Sequence, residues 1–213
     1  MTHESRMRRT PQQARGQRRV AQIRDAAAEV FAEIGYEAAT TNAIAIRANT
    51  SIGSLYQFFP NKHAILDALA RRYESQLTQL LDIMFNGDDA PLQDALEALI
   101  DRIAEFYLAH PAFQAMFSAS RDSGALSSIA DSMCALIIVR VSDRFMTEVD
   151  ALGPADAELY ATIVVYTMRG LIPLGVSSGD VRQQQVIAHL KRTINAYLRS
   201  LEAFRDQEFS PGD

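Results

Sequence analysis

The sequence predicts an all-α protein of about nine helices, with an N-terminal three-helix domain of helix-turn-helix type and a larger C-terminal helical body. Three observations carry this. Apolar residues recur at three- and four-residue spacing in one segment after another, with no strand-like alternation and no internal repeat of fixed period. Gly, Pro, Asn, Ser and Asp fall between these segments, where caps and turns require them. Finally, the stretch TTNAIAIRANTSIGSLYQFFPNK, Thr40 to Lys62, spells two short helices joined by a tight turn.

Residues 1–17 mix Pro, Gln, Gly and Arg without periodicity, and a disordered basic arm is expected there. Its Arg6, Arg8, Arg9 and Arg15, with Arg18 and Arg19, serve either as an arm reaching phosphates or a minor groove, or as a solvated tail. The first helix is expected over 18–34, with Val20, Ile23, Ala27, Val30, Phe31 and Ile34 as its buried stripe and Gly35 ending it. Thr40 can cap the second helix, whose Ala43, Ile44 and Ala48 keep helical spacing. Asn49 sits at the turn, because Asn accepts the left-handed conformation better than any residue except Gly.

Ser51 can cap a third helix in which Leu55 and Phe59, four residues apart, face inward. Ile52, Gly53, Ser54, Tyr56, Gln57 and Phe58 are left for its outer face and exposed first turn. Such a face fits the major groove of DNA: Gly53 lets backbone approach, Gln57 can pair with a base edge and Ile52 can meet a thymine methyl. Thr40, Thr41, Asn42, Ser51, Tyr56 and Lys62 are candidate phosphate contacts, which position a protein without reading sequence. Pro60 ends the helix and Asn61 caps the next.

At these residues the chain resembles the N-terminal domain of the TetR family of transcriptional regulators over residues 18–66. The matching positions are Phe31, Gly35, Thr40-Thr41, Ile44-Ala45, Ala48, Ser51, Gly53, Leu55-Tyr56, Phe59 and Lys62. Two positions depart from the family's pattern: Asn49 stands for the usual turn Gly, and Phe58 for a common His or Tyr, which removes a hydrogen-bonding group. The resemblance implies an operator-binding dimer and a C-terminal effector pocket, here over residues 67–206, followed by a flexible tail at 207–213.

The fourth helix starts at Lys62 and keeps Ile65, Leu66, Leu69, Tyr73, Leu77, Leu80, Leu81 and Met84 on one stripe, roughly 22 residues or about 33 Å. In the resembling family this helix transmits effector binding to the DNA reader. Gly87, Asp88 and Asp89 interrupt the pattern, and Pro91 opens a fifth helix running to His110. A short sixth helix follows over 111–118, the SRDSG segment 120–124 is read as a loop, and a seventh helix spans 125–149. The eighth, over 155–176, is apolar nearly all round and is expected to be covered on two sides. Its Pro173 is a candidate kink. The ninth runs over 181–204 with Ile187, Leu190, Ile194, Tyr197, Leu198 and Leu201 facing in.

Charge is unevenly spread. Residues 1–62 carry nine Arg or Lys against five Asp or Glu, a net of +4, while the remainder carries 12 against 21, a net of −9, giving −5 in all. The basic part is the candidate DNA reader, and the acidic remainder keeps other surfaces off a polyanion. Hydrophobic content of 48% with 22% charged residues is ordinary for a soluble domain. No membrane span, secretory signal, cofactor or metal spacing is expected, and a lone Cys134 points to the cytoplasm by default. Within an apolar helix that thiol reads as inert, with redox sensing the minor alternative.

A single helix-turn-helix contacts few base pairs, so a homodimer on a palindromic double-stranded operator is expected, pairing through the eighth and ninth helices. Phe106, Tyr107, Phe113, Met116, Phe117, Met133, Ile137, Tyr166 and Met168 supply an aromatic, Met-rich set that is either core or the wall of an effector cavity. The resemblance favours a small-molecule effector held by Phe106, Tyr107, Phe113, Phe117, Met133, Ile137, Tyr166 and Arg169. Arg169, inside IVVYTMRGLIPL, pairs with a carboxylate, extends to solvent or meets the effector; Arg140 poses the same choice. His110 caps the fifth helix or lines the pocket. The expected function is a one-component transcriptional regulator, a repressor released by its effector. A ligand-binding or scaffold protein with impaired DNA binding is the alternative; no nucleophile elbow, phosphate loop or metal cluster supports an enzyme.

Overall fold

The computed structural model describes residues 11–85, 90–119, 124–149, 152–176 and 180–208. Every regular element among them is a helix: α1 (Pro11–Ala38), α2 (Thr41–Arg47), α3 (Ile52–Phe58), α4 (Lys62–Phe85), α5 (Leu92–Ala109), α6 (Pro111–Ala119), α7 (Gly124–Glu148), α8 (Pro154–Val176) and α9 (Asp180–Glu208). They form two compact units, Met1–Tyr73 and Glu74–Asp213, the division falling inside α4.

In the first unit, Ile23, Ala27, Val30 and Phe31 of α1 are buried with Ile44, Ala45, Ala48, Leu55, Phe59, Ile65, Leu66 and Leu69. The spacing of each set follows the helical repeat, so α1, the two short helices α2 and α3 and the start of α4 share one apolar interior. Helix α1 begins at Pro11, so the expected disordered arm is replaced by helix over 11–17; Pro at a first helical position forfeits no internal bond. The rest of the expected arm, residues 1–10, lies outside the described residues. Gly35, at φ 76 and ψ 163, breaks the helix where the sequence places its end, ahead of one further turn through Ala38. Ile34 corrects the expected stripe: it is 52% exposed, at the end of the regular part of α1 before the break at Gly35.

The second unit packs α7 against α8 and α8 against α9, with α5 laid across both. Its interior includes Leu77, Leu81, Leu96, Leu99, Ile100, Val141, Phe145, Val164, Leu190 and Ile194. Polar clamps fix the helices. Glu148 at the end of α7 accepts the Leu92 N–H at 2.6 Å and pairs with Arg144, capping an α5 start that has no side-chain cap of its own. Lys191 reaches Asp101 at 2.6 Å and Asn195 donates to Glu97 at 2.6 Å, tying α9 to α5. Arg140 on α7 pairs with Asp82 on α4.

A Cβ placed on Gly175 would lie 3.2 Å from Val186 Cβ, so α8 and α9 approach closely where α8 ends. Helix α8 passes through Pro173 without ending. By length and composition alone it could cross a membrane, yet Ala157, Ala161, Val164, Val165, Met168 and Ile172 are buried inside this unit. Within the subunit one of its sides is covered. Leu159, Ile163, Tyr166 and Leu174, four, three and eight residues apart, stay exposed along the other. Helix α9 continues to Glu208, past the expected end at 204; the last tail residues, 209–213, and the expected breaks at 87–89 and 120–123 lie outside the described residues.

Candidate nucleic-acid interface and ligand cavity

The turn between α2 and α3 is built by local chemistry. Thr40 is extended and its hydroxyl accepts the Ala43 N–H at 3.1 Å, starting α2. At the other end the Asn49 N–H reaches the Ile46 carbonyl and the Thr50 N–H reaches the Ala45 carbonyl, both at 3.0 Å. That pair of bonds is a Schellman closure, and it needs a left-handed residue, supplied by Asn49 at φ 46. Ser51 then caps α3, accepting the Ser54 N–H at 3.1 Å. Asn61 does the same for α4, accepting the Ala64 N–H at 2.8 Å.

Helix α3 is held from one side only. Leu55 and Phe59 are buried, while Ile52, Gly53, Tyr56, Gln57 and Phe58 are exposed and Ser54 is half-buried. Thr40 and Asn42 are exposed at the start of α2, and Thr41 shares a hydrogen bond of 3.1 Å with the Tyr56 hydroxyl, which joins the first turn of α2 to α3. Phe58 lies near α1: a Cβ at Gly16 would be 3.8 Å from its Cε1, so the added turns of α1 flank the end of α3. Lys62 is turned inward among these candidates. Its Nζ donates to the Tyr36 and Glu37 carbonyls at 2.7 and 3.0 Å and sits 4.4 Å from the Tyr36 ring centre, leaving one N–H.

Two residues that sequence reasoning passed over set the angle of this surface. Gln22 on α1 donates to the Ala48 carbonyl at 2.7 Å, fixing the turn. Arg47 bridges Glu29 and Glu33 of α1 at 3.0 and 2.6 Å, which raises its pKa and lowers that of Glu33 through the hydrogen bond they share. The only sequence signal for either was an uncompensated polar residue beside the motif.

In the second unit, α4 to α8 enclose a cavity of about 30 Å³, room for about one water. Of the residues expected to hold an effector, Phe106, Tyr107, Phe113, Phe117, Met133, Ile137 and Arg169 line it. Tyr166 does not; it is 47% exposed, because it falls on the uncovered side of α8. Leu77, Ile103, Cys134, Val165, Met168 and Ile172 complete the wall, and the spacing of Val165, Met168 and Ile172 about Arg169 was the legible sign of them.

The rings interlock edge to face, Tyr107 on Phe113 at 4.9 Å and on Phe117 at 5.6 Å between centres. Arg169 meets the first of its expected alternatives: Nη1 donates to Asp131 of α7 and lies 4.0 Å from Cys134 Sγ. Burial works against its charge, but Asp131 and its other neighbours outweigh that and raise its pKa. Burial also raises the Cys134 thiol, leaving little thiolate at neutral pH, as an inert thiol requires. The Tyr107 hydroxyl is buried with no hydrogen-bond partner among the described residues, and burial pushes its pKa far above the usual range for tyrosine. His110 closes α5 outside the cavity, with Nδ1 2.8 Å from the Phe106 carbonyl oxygen, so that nitrogen carries the proton.

Residues 23–69 match the model of bacterial regulatory proteins of the tetR family, and residues 91–198 match that of the tetracyclin repressor-like C-terminal domain. Among curated relatives, the chain is 25% identical over 154 residues to the uncharacterized HTH-type transcriptional regulator YhgD of Bacillus subtilis, covering 70% of this chain and 80% of that one. It is 43% identical over 53 residues to the HTH-type transcriptional repressor KstR of Rhodococcus jostii, a match of 24% of this chain and 25% of that one. Among solved structures, the FadR regulator of Bacillus subtilis in complex with stearoyl-CoA superposes with a TM-score of 0.64 at 20% identity, over 80% of this chain and 96% of that one.

Proposed function

The chain belongs to the TetR family of helix-turn-helix transcriptional regulators, and from that premise we propose that it is a homodimeric cytoplasmic repressor, freed from a palindromic operator by a small-molecule effector. The observation that carries this is α3, anchored by Leu55 and Phe59 with Ile52, Gly53, Tyr56, Gln57 and Phe58 turned outward beside a charge-rich N-terminal segment. In this reading Gln57 and Ile52 read base edges. Thr40, Thr41, Asn42, Ser51, Ser54 and Tyr56 hold phosphates, and Tyr56 is steadied by Thr41.

Dimerisation would use the uncovered side of α8, Leu159, Ile163, Tyr166 and Leu174, together with α9, to give a four-helix isologous interface. The effector would enter the α4–α8 cavity. Leu77 of α4 forms part of its wall, and α4 runs unbroken from Lys62 to Phe85, so a ligand that shifts α4 has a rigid element through which to bias the reader. That a structural relative, FadR of Bacillus subtilis, forms a complex with stearoyl-CoA supports an acyl-bearing effector here.

The test is an electrophoretic mobility shift on the DNA flanking the protein's own coding region, run over a salt series. Salt-sensitive binding is expected at a discrete site. Gln57→Ala should cost about 1 to 3 kcal/mol at that site and relax base preference there. Absence of salt-sensitive binding at every fragment, or a Gln57→Ala variant with unchanged preference across operator variants, would remove the reading.

A further inference from the structure

The cavity has an almost wholly apolar wall, in which Tyr107 and Arg169 carry the strong hydrogen-bond donors beside the weak Cys134 thiol. Tyr107 is 3% exposed and, among the described residues, its hydroxyl has no hydrogen-bond partner. A buried hydroxyl with an unmet proton is held at a cost, which an incoming acceptor removes. Because burial holds its pKa high, Tyr107 keeps that proton at any working pH. Arg169 also lines the cavity; its guanidinium lies 5.4 Å from the Tyr166 ring centre, and the hydrogen bonds it makes among the described residues are through Nη1, although it carries five N–H groups. Its partner Asp131 is not fixed by burial: the carboxylate is 50% exposed and can return to water.

We propose that the effector is an apolar carboxylate whose head accepts the Tyr107 hydroxyl and displaces Asp131 from Arg169. The proposal rests on the reading of this cavity as the effector site. A cation is disfavoured by the Arg169 charge and by a lining that includes no carboxylate. An alcohol could satisfy Tyr107 but could not compete with Asp131 for a full charge. The exchange also carries a regulatory consequence. Asp131 stands on α7 and Arg169 on α8, so the ligand replaces a contact between two helices with one to itself.

The present space of about 30 Å³ holds about one water, so the tail must move side chains. Met133 is unbranched and adaptable and Phe117 is half-buried, which makes a slim alkyl chain the tail that these walls admit most readily.

Calorimetric titration of the full chain with straight-chain carboxylates from hexanoate to myristate, and with the matching alcohols and amines, tests the proposal. At least one carboxylate should bind, more tightly than its alcohol, and its amine should not bind. Tyr107→Phe should weaken that carboxylate about 10- to 100-fold while leaving the thermal melt unchanged or higher, since it removes the unmet group. Asp131→Asn should tighten it several-fold, a direction that damage to the fold would not produce. Failure of every carboxylate to bind, equal affinity for the alcohol, or indifference to Asp131→Asn would overturn the proposal.

A filling variant, Ile137→Phe, separates the two readings. Alcohol binding that this variant abolishes, without carboxylate preference, leaves the cavity as the effector site and overturns only the head-group assignment. Carboxylate binding that it does not affect places the ligand elsewhere and overturns both.

Discussion

Lys62 offers a direct test of how structure redistributes a role that sequence suggests. Replacing it by Met keeps the alkyl stem and removes the charge and all donors. Two hydrogen bonds from a charged donor are lost, to Tyr36 and Glu37 at 2.7 and 3.0 Å, together with the contact to the Tyr36 ring. Charged hydrogen bonds contribute about 1.5 to 3 kcal/mol each, and a cation over a ring at an open site about 0.5 to 1 kcal/mol. Lys62 is half-buried, so water replaces much of this, and a net loss of about 2 kcal/mol follows. For a chain of this size that corresponds to a fall in melting temperature of about 4 to 8 °C. Circular dichroism melts measure it. Operator affinity over a salt series should show a slope changed by less than about half a unit, because the ammonium is committed to α1. A melt shifted by less than about 1 °C, with a salt slope smaller by about one, would show Lys62 to be a phosphate contact and refute the argument.

Asn49→Gly should be neutral or slightly stabilising in urea denaturation, whereas Asn49→Val should cost about 1 to 2 kcal/mol, since the position is left-handed and closes α2. Ile163→Glu should shift the protein to monomer in sedimentation analysis and abolish high-affinity operator binding while the helical content stays unchanged; a stable dimer would exclude the α8 stripe as the interface. Acid should loosen the α5–α9 clamp. The Asn195 hydrogen bond, followed by Gln93 and Lys191, holds the Glu97 carboxyl below 4.5 against a smaller opposing effect of burial. A carboxyl depressed in the folded state stabilises above its unfolded value and loses that contribution as pH falls through and below 4.5. Melting temperature against pH should therefore drop less steeply below 4.5 in Glu97→Gln than in wild type.

Where local chemistry decides structure, the sequence was legible. Thr40, Asn49, Ser51 and Asn61 each perform the capping or turning task that their side chains advertise, and Leu55 and Phe59 are buried as their spacing requires. What was not legible depends on neighbours distant in the chain. Ile34 keeps helical register with its stripe, yet it stands 52% exposed. Tyr166 and Met168 look equivalent in an apolar run, yet α7 and α9 cover only one side of α8, so two residues decide between solvent and cavity. Arg169 could be narrowed only when Asp131, 38 positions earlier, was seen beside it. Residues 11–17 lack an apolar stripe and still continue α1, since helix once nucleated propagates at little cost.

The attachment of α3 has a consequence for how such proteins diversify. Two buried side chains, one serine cap and the Thr41–Tyr56 hydrogen bond secure the helix, and of these only Tyr56 lies among the helix residues that face outward. Five or six outward residues can therefore be exchanged with little penalty to folding, which makes this segment an interchangeable cartridge. Relatives could acquire new genomic addresses through substitutions confined to Ile52 to Phe58, while everything that determines solubility, assembly and ligand response is inherited intact.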